Sequence, residues 1–367
     1  MSLPFHLIHI TPELPPTVGG VADYTAILSQ RLVEVSDTSV EPVLVPAGKS
    51  SVETIEVGFP VVDVSGKQSD AMVADTVRKL AGDANGHAMV LLEYVGYGYA
   101  KRGAPLWLVR GLSRVCGEDG VPLVTMVHEV RASNWKPWTS TFWLSPVQGY
   151  IAAQLARMSR AVVTNRIPSA QWLRSRTSDG TTVHVQPVFS NVGEPERIPP
   201  FDERSSQAVV FGGGAMKNRL YDTLEHSQRQ LLRDLSIDRI VDLGATDGIP
   251  DSVAGIPVDG HGIQPASTIS AQLQQARIGL LQYPVDYLTK SGIWASYAAH
   301  GLPSLVISDP ARSDPLEENC HFLRANPDGE LSEKPDLKGV GNQARRWYQS
   351  HAHSKQAART FDDLVRS

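Results

Sequence analysis

A chain of 367 residues is long enough for two α/β domains, each with its own core. Its 41% apolar and 20% charged residues exclude a disordered or fibrous protein, and a net charge of −5 gives no overall attraction to nucleic acid or to an anionic membrane. Two cysteines far apart, Cys116 and Cys320, form neither a metal-ligand cluster nor a disulfide scaffold, which points to a reducing, cytoplasmic setting.

Met1–Thr11 carries an apolar stretch about one strand long, without the charged start and longer core of a secretion signal. No stretch approaches the roughly 20 apolar residues that span a bilayer, so membrane contact, if present, is expected to be peripheral. Phe5–Ile10, Met89–Glu93, Pro122–Val127 and Ala161–Thr164 read as buried strands. Val21, Tyr24, Leu28 and Leu32 recur at helical spacing, as do Leu108, Leu112 and Val115. Asn191–Arg204 then holds three prolines and six charges with no apolar period, and reads as a linker. After it, Ala208–Phe211, Ile237–Leu243, Ile278–Leu281 and Ser304–Ile307 are predicted strands, with helices near Tyr221–Leu235, Ile269–Ala276 and Ile293–His300. Asn342–Val365 reads as one polar helix with apolar positions at Trp347 and Phe361. Strand and helix in alternation predict parallel sheets covered on both faces. Ligands bind outside the carboxyl ends of such strands, so two facing sheets predict an interdomain cleft with the chemistry in the loops that follow strands.

Gly19–Gly20 stands between the first strand and the first helix. Paired glycines let the backbone approach a ligand and a helix N-terminus favours phosphate, although a flexible connection would use the same pair. The dinucleotide pattern Gly-x-Gly-x-x-Gly is absent, which disfavours an oxidoreductase. His128–Glu129 closes one buried strand, where a polar pair can face a cleft, though strand-end histidines are often structural. Glu93–Tyr94 has the same position on another strand. Gly96, Tyr97, Gly98 and Tyr99 continue its loop, and Lys101 and Arg102 make it either acceptor-facing or a solvated basic turn. Phe211–Arg219 offers Gly212, Gly213 and Gly214, then Lys217 and Arg219 near a helix start, which suits a diphosphate but lacks the P-loop order. Thr289, Lys290, Ser291 and Gly292 bring hydroxyls, an ammonium and backbone N–H groups together before a helix that ends at Gly301. No Cys/His cluster and no Gly-x-Ser-x-Gly elbow is present. His351 and His353 read as solvated, and Asp247, Asp251 and Asp259 as turn residues.

In order along nearly the whole chain, these segments resemble the GT-B glycosyltransferases, specifically the large retaining, family 4-like group. Thr11–Tyr24 resembles its glycine-rich loop, Thr125–Glu129 its strand ending in His-Asp or His-Glu, and Phe211–Arg219 its glycine turn with an Arg/Lys pair. Ala161–Thr164 and Gln186–Gly193 resemble the segments around its interdomain crossing, Gln264–Leu281 the helix and strand that end in its ADV-x-L-x-P, here Ala276 to Pro284, and Ala298–Val306 its A-x-G-x-P-V-V. The resemblance implies two Rossmann-like, doubly wound domains facing a cleft: residues 1–190 on the acceptor side, a linker at 191–204, a donor domain at 205–345, and a helix at 346–367 returning to the first domain. It implies transfer of a sugar, with retention and without metal, from a nucleotide-sugar substrate to a glycan, polysaccharide or lipid-linked acceptor. Gly19, Gly20, Gly213, Gly214, Arg219, Thr289, Ser291 and Gly292 would bind the donor, and His128, Lys217 and Lys290 would carry catalysis. Glu93, Tyr94, Tyr97, Tyr99 and Glu129 would face the acceptor. The group's Glu-x7-Glu falls here on Leu288 and Ser296, neither acidic, which leaves a silent nucleotide-sugar or glycan binder as the alternative.

Overall fold

Parallel strands buried on both faces need continuous apolar runs, and the chain supplies them twice. The computed structural model describes residues 5–17, 19–37, 39–50, 57–85, 87–131, 140–227, 229–245, 248–326 and 335–366; Asp247 lies outside them. The chain forms two domains, one of Met1–Pro187 with Ser354–Ser367 and one of Val188–His353.

The first domain runs β1 (Phe5–Thr11), α1 (Gly20–Val35), β2 (Val40–Pro46), α2 (Asp70–Asp83), β3 (Ala88–Val95), α3 (Gly96–Tyr99) and α4 (Leu106–Leu112). It continues with β4 (Leu123–Glu129), α5 (Ser140–Met158), β5 (Ala161–Thr164), α6 (Ile167–Arg174) and β6 (Thr182–Val185). All pairs are parallel, in the order β2-β1-β3-β4-β5-β6. The strand order reverses between β1 and β3, so a ligand crevice is expected outside their carboxyl ends.

The second domain contains β7 (Gln207–Phe211), α7 (Gly214–Ser227), α8 (Arg229–Asp234), β8 (Arg239–Leu243), β9 (Ser252–Val253), β10 (Ile256–Gly260) and α9 (Ala266–Gln275). Then come β11 (Ile278–Gln282), α10 (Gly292–Ala299), β12 (Ser304–Ile307), β13 (Leu323–Ala325) and α11 (Leu337–His351). Its sheet order is β13-β12-β11-β7-β8-β10-β9, and only the β9–β10 pair is antiparallel. Here the reversal lies between β7 and β11. No helix of the described residues is long and apolar enough to cross a membrane.

Two sequence expectations change. Residues 191–204 are not a free linker but are tied onto the second domain: Arg345 donates to the carbonyls of Pro195 (2.7 Å) and Glu196 (3.0 Å), and Tyr348 donates to Glu194 at 2.6 Å. Buried Arg204 donates to the carbonyls of Ala276 (3.2 Å) and His300 (2.9 Å). The expected single closing helix is two, α11 and then α12 (Ser354–Arg366). Val340, Ala344, Trp347 and Tyr348 are buried on α11, and Ala358, Phe361 and Val365 on α12. Their three- and four-residue spacing continues across Ala352–His353 without a change of phase, so the break leaves no trace in the pattern.

Within the second domain, His300 is wholly buried at the end of α10, where its Nδ1–H donates to the Ser296 carbonyl and its Nε2 accepts from Ser270, both at 2.7 Å. Burial above all, with Arg204 and Arg345 adding to it against the Ser296 and Glu194 oxygens, pushes this imidazole down to about 4 from 6.5. Between those values the unfolded chain binds more protons than the folded one. Stability is therefore full above pH ~6.5 and falls as the pH drops towards ~4, by on the order of 3 kcal/mol in total. Urea midpoints measured at neutral and acidic pH should fall more steeply for the wild type than for His300→Gln; equal slopes would remove His300 as the cause.

Candidate functional sites at the carboxyl edges of the two sheets

In the first domain the loops after β1, β2 and β3 crowd around Pro12, and glycine is what lets them. A Cβ on Gly48 would lie 2.0 Å from the Pro12 carbonyl oxygen, and one on Gly98 would lie 2.6 Å from Pro12 Cβ. Ala47 donates its N–H to Thr11 (2.9 Å), and Lys49 donates to Gly98 (3.3 Å). The loop from β1 then reaches Gly19, the N-cap of α1, whose backbone is extended. Glycine is used there for room: Glu13 Oε1 sits 2.1 Å from where a Cβ would be. A carboxylate at a helix N-terminus is favourably placed against the helix dipole. Burial raises the Glu13 carboxyl above its usual range, partly countered by Lys49. The Glu13 carboxylate thus lies against Gly19, on one flank of the pair expected to meet a diphosphate, while a Cβ on Gly20 would meet nothing within 4 Å.

Behind that loop, three adjacent strands contribute one buried polar line. Glu93 on β3 is wholly buried and bridges His9 on β1 (Nε2 to Oε1, 3.0 Å) and His128 on β4 (Nε2 to Oε2, 2.7 Å). His9 Nδ1 meets Ser29 Oγ of α1 at 2.8 Å. Burial opposes the charge on Glu93, but the hydrogen bonds from His128 and His9, together with the attraction of those imidazoles when protonated, outweigh it and hold the carboxyl below 4.5. Tyr24 of α1 lies edge-on to the His128 ring, 5.1 Å between centroids at 90°, and burial followed by the Glu93 charge keeps its phenol strongly neutral. Between β3 and β4, Tyr94 pairs with Val127 and Val95 with Glu129, so His128 is the extra residue of a β-bulge. Bulges of this kind re-aim a side chain at the rim of a sheet. His9 drew no attention in the sequence and Tyr24 only as part of a helix face, because each stands inside an apolar pattern.

The residues expected to face an acceptor separate into two groups. Tyr97 and Glu129 line a small pocket with Gly103 and Gln148, and the otherwise buried Tyr94 contributes to its wall. Tyr99 does not reach that pocket: it is wholly buried and its hydroxyl donates to the Glu93 carbonyl at 2.8 Å. Gly96–Tyr99, expected as open loop, is a helical turn, and this turn carries Tyr99 inward.

In the second domain the turn after β7 meets the start of α10. Gly212 has φ +137°, which side chains rarely adopt, and a Cβ there would lie 2.6 Å from Ile293 Cδ1. Beneath it, Tyr297 of α10 receives the Phe211 N–H (3.3 Å) and lies within hydrogen-bond reach of the carbonyls of Val209 (3.3 Å) and Leu280 (3.2 Å), spanning β7 and β11. α7 begins at Gly214, well before the expected start near Tyr221. Lys217 therefore falls in its first turn and faces the sheet. It is 0% exposed, donating to Asp242 (2.7 Å) and to the Gly244 carbonyl (3.1 Å), while Tyr221 binds the other Asp242 oxygen. Burial lowers its pKa and Asp242 partly restores it. The expectation of Lys217 as a ligand-facing cation is corrected accordingly, and exposed Arg219 stands on another side of the helix.

Across the reversal, Val285–Lys290 is a short 3₁₀ turn leading into α10. Thr289 is buried and its carbonyl accepts from Val188 at 3.0 Å. Ser291 is the N-cap and accepts from the Trp294 N–H at 3.2 Å, while a Cβ on Gly292 would meet nothing within 4 Å. Leu288 is buried, and Ser296 is wholly buried with its hydroxyl donating to the Gly292 carbonyl at 2.7 Å. The first amides of α7 and α10 thus open on neighbouring ground with half-buried Lys290 beside them.

No protein-family model matches the chain, and no curated protein matches its sequence. Solved structures do match over its full length. The sucrose-phosphate synthase of Thermosynechococcus elongatus superposes with a TM-score of 0.65 at 10% identity, covering 99% of this chain and 98% of that one. Anabaena HepE, solved in complex with UDP, gives 0.60 at 12% identity over 98% of this chain and 99% of its own. A structure described as a UDP-N-acetylglucosamine 2-epimerase from Listeria monocytogenes gives 0.60 at 12%, over 97% and 94%. At these identities the likeness is one of architecture, and the third structure extends it beyond transferases. With two parallel-sheet domains matched over their whole length, the chain has the GT-B fold, as in WaaG, a glycosyltransferase that superposes with a TM-score of 0.60 at 11% identity over 98% of this chain and 99% of its own.

Proposed function

We propose that the protein is a glycosyltransferase that moves a sugar from a nucleotide-diphosphate sugar to a glycan, polysaccharide or lipid-linked acceptor. One observation carries this reading: at the strand-order reversal of the second domain, the Gly212–Gly214 turn and the Ser291–Gly292 turn bring two helix starts side by side, with Lys290 adjoining. Such a place suits a diphosphate. HepE, which shares the fold, is a UDP complex, and supports a nucleotide as the ligand. As the bond from the anomeric carbon to the diphosphate breaks, the electron pair leaves with the phosphate oxygen. Lys290, Arg219 and the helix amides would stabilise that charge without a metal. The acceptor hydroxyl would add to the anomeric carbon, with retention, and pass its proton to the departing diphosphate oxygen. His128 is the sugar-facing residue in this reading, Tyr97 and Glu129 stand on the acceptor side, and the nucleotide sugar is substrate, so no cofactor takes part. Lys217 supports α7 from within.

A thermal-shift screen with UDP, GDP, ADP, TDP and CDP, with and without magnesium, tests the binding. A nucleotide at about 100 times its dissociation constant should add about 2.7 kcal/mol of stability, equally without magnesium. With that donor, Lys290→Ala should lower turnover by about 10²–10³-fold while the protein stays folded. No shift with any nucleotide would sink the reading. The buried, non-acidic Leu288 and Ser296 favour a second reading, a binder without transfer, which a clear nucleotide shift with no sugar product from any acceptor would select.

A further inference from the structure

We propose that Glu93 is a positioning residue, fixing His128 as its Nε2–H tautomer so that the Nδ1 lone pair is what a ligand meets. The ligand's identity, a sugar hydroxyl donating to Nδ1, rests on the nucleotide-sugar reading above; the tautomer does not.

Both Glu93 oxygens are engaged, one by each imidazole. An ionised carboxylate only accepts, so the Nε2 atoms of His9 and His128 must both carry hydrogen. The titratable groups facing Glu93 are His9 on β1, His128 on β4, Tyr24 on α1 and Tyr99 on α3, and burial keeps both phenols neutral. With its Nε2–H turned to Glu93, a neutral His9 accepts from Ser29 through Nδ1. His9 is wholly buried and so cannot meet a ligand; it steadies the carboxylate from behind. His128 differs. It is 7% exposed, it is the extra residue of the bulge, and among the described residues its Nδ1 has no hydrogen-bond partner. The bulge, the edge-on Tyr24 ring and Glu93 together restrain one imidazole and leave one acceptor atom. A neutral imidazole so held accepts from a hydroxyl, which suits a sugar better than a phosphate.

Imidazole ¹⁵N spectra of the full chain test the tautomer without any ligand. At a pH high enough for its imidazole to be neutral, wild-type His128 should show protonated Nε2 and unprotonated Nδ1, and Glu93→Gln, whose amide can donate as well as accept, should shift it towards a mixture. The reverse tautomer in the wild type, or an unchanged His128 spectrum in Glu93→Gln, would overturn the proposal even if Glu93→Gln folds poorly, since the first result needs no variant. With a donor from the screen, kcat should fall at least about tenfold in Glu93→Gln with little change in donor KM, and Glu93→Asp should recover part of it. A loss of kcat that disappears once activity is divided by the folded fraction, or no recovery in a folded Glu93→Asp, would assign Glu93 to packing alone. Should no nucleotide bind, the functional reading fails while the spectra still decide the tautomer.

Discussion

Replacing Lys217 with alanine is expected to destabilise the protein by about 3–5 kcal/mol, the cost of leaving a buried charge without its partner. Asp242 and Lys217 are both 0% exposed, and the Lys217 ammonium is the cation bonded to that carboxylate. Tyr221 donates to the other oxygen but brings no charge. The urea midpoint is the measurement. Lys217→Met with Asp242→Asn should recover much of the loss, because an uncharged pair of similar volume removes the penalty of desolvation along with the attraction. A loss below about 1 kcal/mol would mean that water reaches the pair. Activity lost in Lys217→Ala must therefore be divided by the folded fraction before any of it is assigned to phosphate binding.

The second large effect is expected at Gly48, where alanine should lower turnover by on the order of 100-fold while nucleotide shifts stay as in the wild type. Its Cβ would stand 2.0 Å from the Pro12 carbonyl oxygen, a backbone atom that no rotamer change can move aside. The loop leading from β1 to α1 must then give way by about 1 Å, carrying Glu13 and Gly19 with it. Overpacking of this kind costs about 1–3 kcal/mol of stability, which a domain of this size survives. Unchanged kcat in a folded Gly48→Ala protein would show that the loop has no part in turnover.

The strands were readable where burial on both faces demands an unbroken apolar run. Ala161–Thr164 and Ser304–Ile307 match to the residue, and Phe5–Thr11 and Gln207–Phe211 to within one. β2 escaped because Glu41 and Pro42 interrupt its run, and β6 and β13 because edge strands carry polar residues such as His184 and Arg324. The polar clusters were legible only in part. Glu93, His128, Lys217 and Lys290 each stand where a strand ends or a helix begins, which is a local signal. Their partners are not local: His9 lies 84 residues from Glu93, and Asp242 lies 25 from Lys217. Which strand neighbours which decides those pairings, and strand order is not written in hydrophobic period. The inward turn of Tyr99 and the carboxylate of Glu13 over Gly19 likewise depend on loop packing that composition does not encode.

The membership of α12 in the first domain bears on how the protein is made. α12, on which Phe361, Leu364 and Val365 are buried, packs on α1, with Arg31 donating to Ser354 (2.9 Å) and Ser36 to Asp362 (2.9 Å). As the nascent chain leaves the ribosome, the second domain has all of its residues first, at His353, although the first domain was begun earlier. Until Ser354–Arg366 emerges, the α1 face that it covers stays open to water. The order of synthesis is therefore the reverse of the order of completion, and the half-built first domain is the species on which a chaperone would act.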